Sequence, residues 1–245
     1  NHGVAVYPAD ESYTPVWQNQ SGARAQHTFA MGHGDGAADV RAAVVVWQSG
    51  AWQFTLKTPV GTAPVRLHIA GRHNVKNALA ASACALAAGV PLAAVAQGLQ
   101  AFEPVKGRSR ALLLHTPAGE ITLVDDTYNA SPASFKAAID VLATQKGLRI
   151  VVGGDMGELG SLETAGHREV GAYARAKGIE HFYATGTLMK EALAAFGAGA
   201  VHAADCAALA ALLQPLLGNN VSVLVKGSRS AGMERVAQLL MDIGD

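Results

Sequence analysis

The chain is poor in charge, aromatics and cysteine. Only 16% of its 245 residues are charged, with a formal net charge of zero, and 6% are aromatic. No Lys/Arg run or basic excess marks a nucleic-acid or anionic-membrane surface. No uncharged apolar run reaches membrane-spanning length. The nearest, Ala78 to Ala96, is mostly alanine and is interrupted by Gly89 and Pro91. Nor does a secretory signal open the chain. The two cysteines, Cys84 and Cys206, lie in Ala-rich stretches without metal-like spacing, and both are expected to be buried thiols in a reducing compartment. An H-E-x-x-H, a Cys/His cluster and a G-x-x-x-x-G-K-[ST] phosphate loop are all missing. The chain starts Asn1-His2-Gly3 without a methionine and enters a strand-like run at once, so it is expected to be a piece of something longer.

What is present is a globular composition, 50% hydrophobic, of a length that suits one large domain or two modest ones. Two textures divide it. As far as about Gly71 the pattern is strand-like, with runs at 43–47, 52–56 and 65–69 broken by Gly50, Pro59, Gly61 and Pro64, as hairpins require. Gly32 to Gly36 forms a Gly-rich loop. Helices are expected over 74–88 and 92–101, followed by a connector over 102–107. Beyond Arg110 short strands at 121–124, 149–152, 181–184 and 221–225 alternate with helical spans near 134–145, 162–177, 188–195, 206–217 and 231–241. That alternation implies parallel pairing with right-handed crossovers, a Rossmann-like α/β layer fold. The division falls near 106–110, giving domains over 1–107 and 108–245.

Three polar motifs follow β-branched runs directly, at the carboxyl ends of strands, where open α/β sheets bind ligands. The first is Asp125-Asp126-Thr127-Tyr128-Asn129. Its adjacent acids point to opposite faces of the strand, and either close it as an Asx turn or grip a ribose hydroxyl or an ammonium. The second, Gly153 to Gly160, lacks the dinucleotide glycine spacing, and Asp155 and Glu158 would repel a pyrophosphate. Its glycines are expected to serve a sharp strand-to-helix turn through their backbone freedom. The third, Lys226-Gly227-Ser228-Arg229-Ser230, is either an anion cradle at a helix start or a Ser-capped helix with exposed basic residues. A fourth motif, Gly71 to Asn77, opens the Ala-rich helix. Asn74 is its N-cap, or Asn74 and Asn77, three apart on one side of the first turn, offer carboxamides to the N6/N7 edge of adenine. His167, early in a helix, is expected to be structural.

Taken together, Gly71–Ala81, Gly107-Arg108, Asp125–Ala130, Gly154–Gly160 and Val225–Ala231, in this order and spacing, resemble the ATP-dependent Mur ligase family of cell-wall synthesis, and within it the branch that adds D-alanyl-D-alanine. The resemblance implies the β-rich and helical end of a P-loop-type central ATPase domain, followed by a complete Rossmann-like C-terminal domain. It implies ATP and Mg2+ as cofactors, with the phosphate loop, the metal-binding acid and a carbamylated lysine upstream. UDP-N-acetylmuramoyl-tripeptide and D-alanyl-D-alanine are the implied substrates, in a cytoplasmic monomer without membrane insertion or nucleic-acid partners. By position, His73, Asn74 and Asn77 would meet adenine, Arg108 (or Arg110) the phosphates and Asp126 the ribose. Asn129, Lys226, Ser228 and Arg229 would serve the dipeptide and an acyl phosphate, with Lys226 and Arg108 as stabilisers of its charge. ATP would then sit between the domains and favour their closure. The 245-residue chain alone is expected neither to hydrolyse ATP nor to form the amide. Another Mur-type or polyglutamate ligase, or a non-catalytic nucleotide-binding module, remains open.

Overall fold

A computed structural model describes residues 3–31, 38–48 and 51–243. The Gly32–Gly36 loop and Gly50 lie outside the described residues. Two compact units divide the chain, Asn1–Glu103 and Pro104–Asp245.

In the first unit, five strands pair in chain order: β1 (Val4–Pro8), β2 (Ala25–Ala30), β3 (Val40–Gln48), β4 (Ala51–Thr58) and β5 (Gly61–Leu67). β3, β4 and β5 are the antiparallel hairpins expected from the Gly/Pro breaks. β1, β2 and β3 run parallel, which the strand-like texture did not disclose. Parallel neighbours need a crossover, and α1 (Thr14–Ser21) supplies it between β1 and β2. This helix went unseen because Thr-Pro-Val-Trp-Gln-Asn-Gln-Ser carries no apolar stripe, and Ser21 is its one buried residue. Helices α2 (Arg72–Ala87) and α3 (Leu92–Gln100) lie close to their expected spans. α2 buries Val75, Ala78, Leu79, Ser82 and Ala83, an i, i+3, i+4, i+7, i+8 stripe, against Phe29, Val40, Phe54, Leu56 and Leu67 of the sheet. Cys84 falls outside that stripe and is exposed, contrary to expectation, whereas Cys206 is buried.

The second unit is a six-stranded sheet, ordered β10-β9-β8-β11-β7-β6. Its strands are β6 (Arg110–Thr116), β7 (Gly119–Asp126), β8 (Leu148–Gly153), β9 (His181–Ala184), β10 (Ala200–His202) and β11 (Val221–Lys226). All neighbours are parallel except the β6/β7 hairpin, so the sheet is Rossmann-like with one antiparallel edge. Sequence patterning missed β6 and the three-residue β10. Helices α4 (Pro132–Ala143), α5 (Glu163–Ala176) and α6 (Met189–Phe196) contribute Phe135, Ile139, Leu142, Val170, Met189 and Phe196 to one apolar layer. Helices α7 (Cys206–Leu213) and α8 (Glu234–Asp242) form the other, with Leu209, Leu213, Val236 and Leu240. Sheet strands such as Val151 and Val152 feed the two layers alternately, which is why these runs are apolar throughout. Among the described residues no helix is long and apolar enough to cross a membrane.

Candidate functional site

β11, last in sequence, inserts between β7 and β8. Register places Lys226 opposite Asp126 on one side and opposite Gly153 on the other, so the three strand-end motifs stand abreast. At their centre is an ion pair. Lys226 Nζ, on a side chain only 2% exposed, donates to Asp126 Oδ2 at 2.6 Å and to the Asn129 carbonyl at 2.9 Å. The lysine expected in an open anion cradle is thus engaged by Asp126 and the Asn129 carbonyl.

The tandem acids divide their work. Asp125, 1% exposed, accepts from the Thr127 hydroxyl at 2.7 Å and the Gly107 N–H at 3.1 Å, so it closes the strand as the Asx reading required. Asp126 accepts from the Ser109 N–H at 2.8 Å besides Lys226, and its side chain keeps 14% exposure. Asn129 stays exposed with its Oδ1 on the Ala130 N–H.

In the Gly153–Gly160 segment the expected backbone freedom is used at Gly160, with φ +55°, and not at the glycines before it. None of Gly153, Gly154 and Gly157 has φ in the left-handed region. Space is what Gly153 and Gly154 supply: a Cβ on Gly153 would lie 2.9 Å from Phe182 Cε2, one on Gly154 2.6 Å from Met233 Cγ, and one on Gly227 3.2 Å from Gly154 Cα. The two loops therefore pack backbone on backbone. Gly154 N–H donates to the Lys226 carbonyl at 2.9 Å, and the Ser228 N–H and hydroxyl both donate to the Asp155 carbonyl, at 3.0 and 2.6 Å. Asp155 Oδ1 in turn accepts from the Met189 N–H at the start of α6, at 2.8 Å. His167, fully buried, accepts at Nε2 from the Met156 N–H at 2.9 Å and donates from Nδ1 to the Glu163 carbonyl at 2.6 Å, the structural role expected of it. The Lys226–Ser230 motif opens a single 3-10 turn, Arg229–Ala231, rather than the long helix expected there; α8 begins at Glu234. Arg229 is 71% exposed, with only a loose 3.5 Å contact to Glu234.

In the first unit, Asn74 is not the N-cap; Gly71 holds that position. Asn74 Nδ2 donates to the Ala70 carbonyl at 2.7 Å, and Asn77 Nδ2 donates to Asn74 Oδ1 at 3.0 Å. The two amides do share one side of the first turn, with Asn74 orienting the exposed Asn77. The His73 ring folds back towards Gly71, where a Cβ would meet its Cε1 at 2.5 Å. Between the two asparagines, Lys76 bridges Asp10 at 2.7 Å and also binds Glu11. Burial raises the Asp10 carboxyl, but the Lys76 hydrogen bond, the Met31 N–H and the Lys76 charge outweigh it and hold it below its ordinary value. A depressed carboxyl stabilises the fold above its unfolded value, near pH 4, and that contribution is lost as pH falls through the lowered one. Asp10→Asn is expected to flatten this acid limb of unit 1 stability, measured by denaturant melts at a series of acid pH values; an unchanged limb would remove the pair from the account.

Sequence reasoning passed over Tyr128 and Ser109. Arg108 lies over the Tyr128 ring with its guanidinium carbon 3.9 Å from the centroid. Arg110, the alternative phosphate contact, is instead the first residue of β6, opposite Asp125. Among the described residues no group of three or more His, Cys, Asp or Glu side chains could hold a metal ion.

Comparison with known proteins places the fold in a family. The model for the Mur ligase middle domain matches residues 1–85, and that for the Mur ligase glutamate ligase domain matches residues 109–229. UDP-N-acetylmuramoyl-tripeptide–D-alanyl-D-alanine ligase of Escherichia coli (strain K12) is 38% identical over 99% of this chain and 53% of its own length. The crystal structure of MurF from Acinetobacter baumannii superposes with a TM-score of 0.86 at 32% identity, over 98% of this chain and 52% of that one. MurF from Thermotoga maritima in complex with ADP, at 22% identity and a TM-score of 0.80 over 99% of this chain and 54% of that one, shares the fold. The chain spans about half the length of the curated relatives it matches.

Proposed function

We propose, for a chain that belongs to the Mur ligase family, that it forms half of an ATP-dependent amide ligase joining D-alanyl-D-alanine to UDP-N-acetylmuramoyl-tripeptide in peptidoglycan synthesis. The observation that carries this reading is the alignment of Asp126, Lys226 and Gly153 on adjacent strand ends of a chain so similar to ligases named for that reaction. In this reading residues 1–107 end the central ATPase domain and residues 108–245 form the C-terminal substrate domain. The ligase is a monomer and works in the cytoplasm.

The reaction is a phosphoryl transfer followed by an acyl transfer. The tripeptide carboxylate oxygen takes the γ-phosphoryl group of ATP, releasing ADP. The dipeptide amine then attacks the acyl carbon, and the tetrahedral intermediate expels phosphate. Positioning and charge neutralisation carry such steps. Asn77, oriented by Asn74, offers its carboxamide oxygen to the adenine amino group and its second N–H to N7, with His73 beside them. Asp126, already anchored by Lys226, turns its remaining exposed edge to the ribose. Arg108 meets the phosphates. Lys226 supplies a fixed positive field to the acyl phosphate, the Asn129 side chain and Ser228 line the amine's approach, and Arg229 exchanges its loose Glu234 contact for the dipeptide carboxylate. Mg2+ neutralises phosphate charge when bound; its ligands and the phosphate-gripping loop come from the other half of such a ligase.

The test uses the full-length protein with the tripeptide's terminal carboxylate labelled in heavy oxygen. The expected result is a pentapeptide product and inorganic phosphate carrying one labelled oxygen, because the bridging oxygen leaves with phosphorus. Label in AMP, or ligation of glutamate in preference to D-alanyl-D-alanine from a panel of amines, would replace this reading. The 245-residue chain alone is expected to release no phosphate.

A further inference from the structure

The connector around Arg108 is held in an uncommon conformation. Gly107 has φ +80° and Ser109, which is not glycine, has φ +47°. Such backbone persists only where its surroundings hold it, and here the tip of β7 does so from three directions. Asp125 Oδ2 accepts the Gly107 N–H at 3.1 Å, Asp126 Oδ1 accepts the Ser109 N–H at 2.8 Å, and the Gly107 carbonyl accepts the Tyr128 N–H at 2.9 Å. A Cβ on Gly107 would lie 3.1 Å from Thr127 Oγ1 and 3.2 Å from Tyr128 N, so the approach tolerates little else. Arg108 is thereby projected over the Tyr128 ring. Among the described residues no carbonyl or carboxylate accepts from its guanidinium.

From these contacts we infer that Tyr128 is a positioning residue for Arg108: the strand tip clasps the connector, and the ring holds the guanidinium plane ready for phosphoryl oxygens. This rests on the reading of Arg108 as a phosphate contact. The ring meets the guanidinium at its carbon, 3.9 Å from the centroid, whereas a bidentate anion uses the N–H donors on the rim. The ring also fixes the arginine to the C-terminal unit, within which every one of these contacts lies. Arg108 therefore belongs to that unit's own strand-end site. Arg110, out in β6, has no such clasp.

A double-mutant cycle in the full-length ligase tests this. Both side chains are exposed, so Arg108→Ala and Tyr128→Ala are expected to keep the wild-type melting temperature. Tyr128→Ala is expected to raise KM for ATP about two- to fivefold with kcat little changed, the scale of an exposed cation–π contact. Tyr128→Phe, which keeps the ring, is expected to restore the wild-type KM. In an Arg108→Ala background Tyr128→Ala is expected to add nothing. If the two effects multiply, or if Tyr128→Phe is as harmful as Tyr128→Ala, the positioning role is overturned while the phosphate role of Arg108 stands. If Arg108→Ala leaves KM for ATP unchanged, both fall.

Discussion

Asp126→Ala is expected to lower the unfolding free energy of the Pro104–Asp245 unit by about 3–5 kcal/mol. The carboxylate meets an ammonium whose side chain is 2% exposed, and apart from Asp126 its recorded partner is the neutral Asn129 carbonyl. Removing one member of a buried pair leaves the other charge without water or counterion, and that desolvation cost dominates. Asp126→Ala also frees the Ser109 N–H, so the connector loosens with it. Lys226→Met should cost less, because the stranded carboxylate keeps the Ser109 N–H and its side chain is already 14% exposed to water. The asymmetry is the diagnostic part. Equal losses, or a loss below about 1 kcal/mol for Asp126→Ala, would mean that the pair is worth no more than a surface contact. Any fall in ATP affinity caused by Asp126→Ala must be read at a temperature where the variant is still folded.

The second large effect lies behind the site. Gly171→Ala, in the middle of α5, is expected to destabilise the same unit by about 1–3 kcal/mol or more. Its Cβ would stand 1.9 Å from the Ala192 carbonyl oxygen and 2.6 Å from that carbonyl carbon. These are backbone atoms of α6 and cannot rotate away, so the two helices must separate. Helix propensity alone argues the opposite, since Gly→Ala within a helix ordinarily gains about 0.5–1 kcal/mol. Gly98→Ala in α3 is the control. Nothing lies within 4 Å of a Cβ there, and propensity should make it mildly stabilising in denaturant melts. The consequence reaches the strand ends, because the first N–H of α6 is the partner of Asp155, whose carbonyl holds Ser228. A stabilising Gly171→Ala would show that α5 and α6 do not pack this closely.

Much of the second unit was legible because its strands are buried on both faces and read as short β-branched runs ending in polar motifs. The run Ile121–Val124 and the acids after it are an example. What the sequence withheld is mostly long-range. That β11 inserts between β7 and β8, bringing Lys226 against an acid 100 residues away, is a fact of pairing rather than of local pattern. The same holds for Gly154, whose need is for space beside Met233 rather than for a backbone angle. Other misses had a local signal. Thr116-Pro117-Ala118-Gly119 between two apolar runs marks the β6/β7 hairpin. Counting the α2 stripe from Val75 to Ala83 leaves Cys84 on the outer face. Tyr128 sat inside a motif recognised for its acids, and nothing in the spacing shows that it lies under Arg108.

Nucleotide is expected to bind at the ends of β7 and β11 in the second unit. Hydrogen exchange on the full-length protein, with and without a non-hydrolysable ATP analogue, tests it most directly. Peptides covering residues 107–109 and 126–129 are both expected to exchange more slowly with nucleotide bound. Unchanged exchange in both of these peptides would contradict the account.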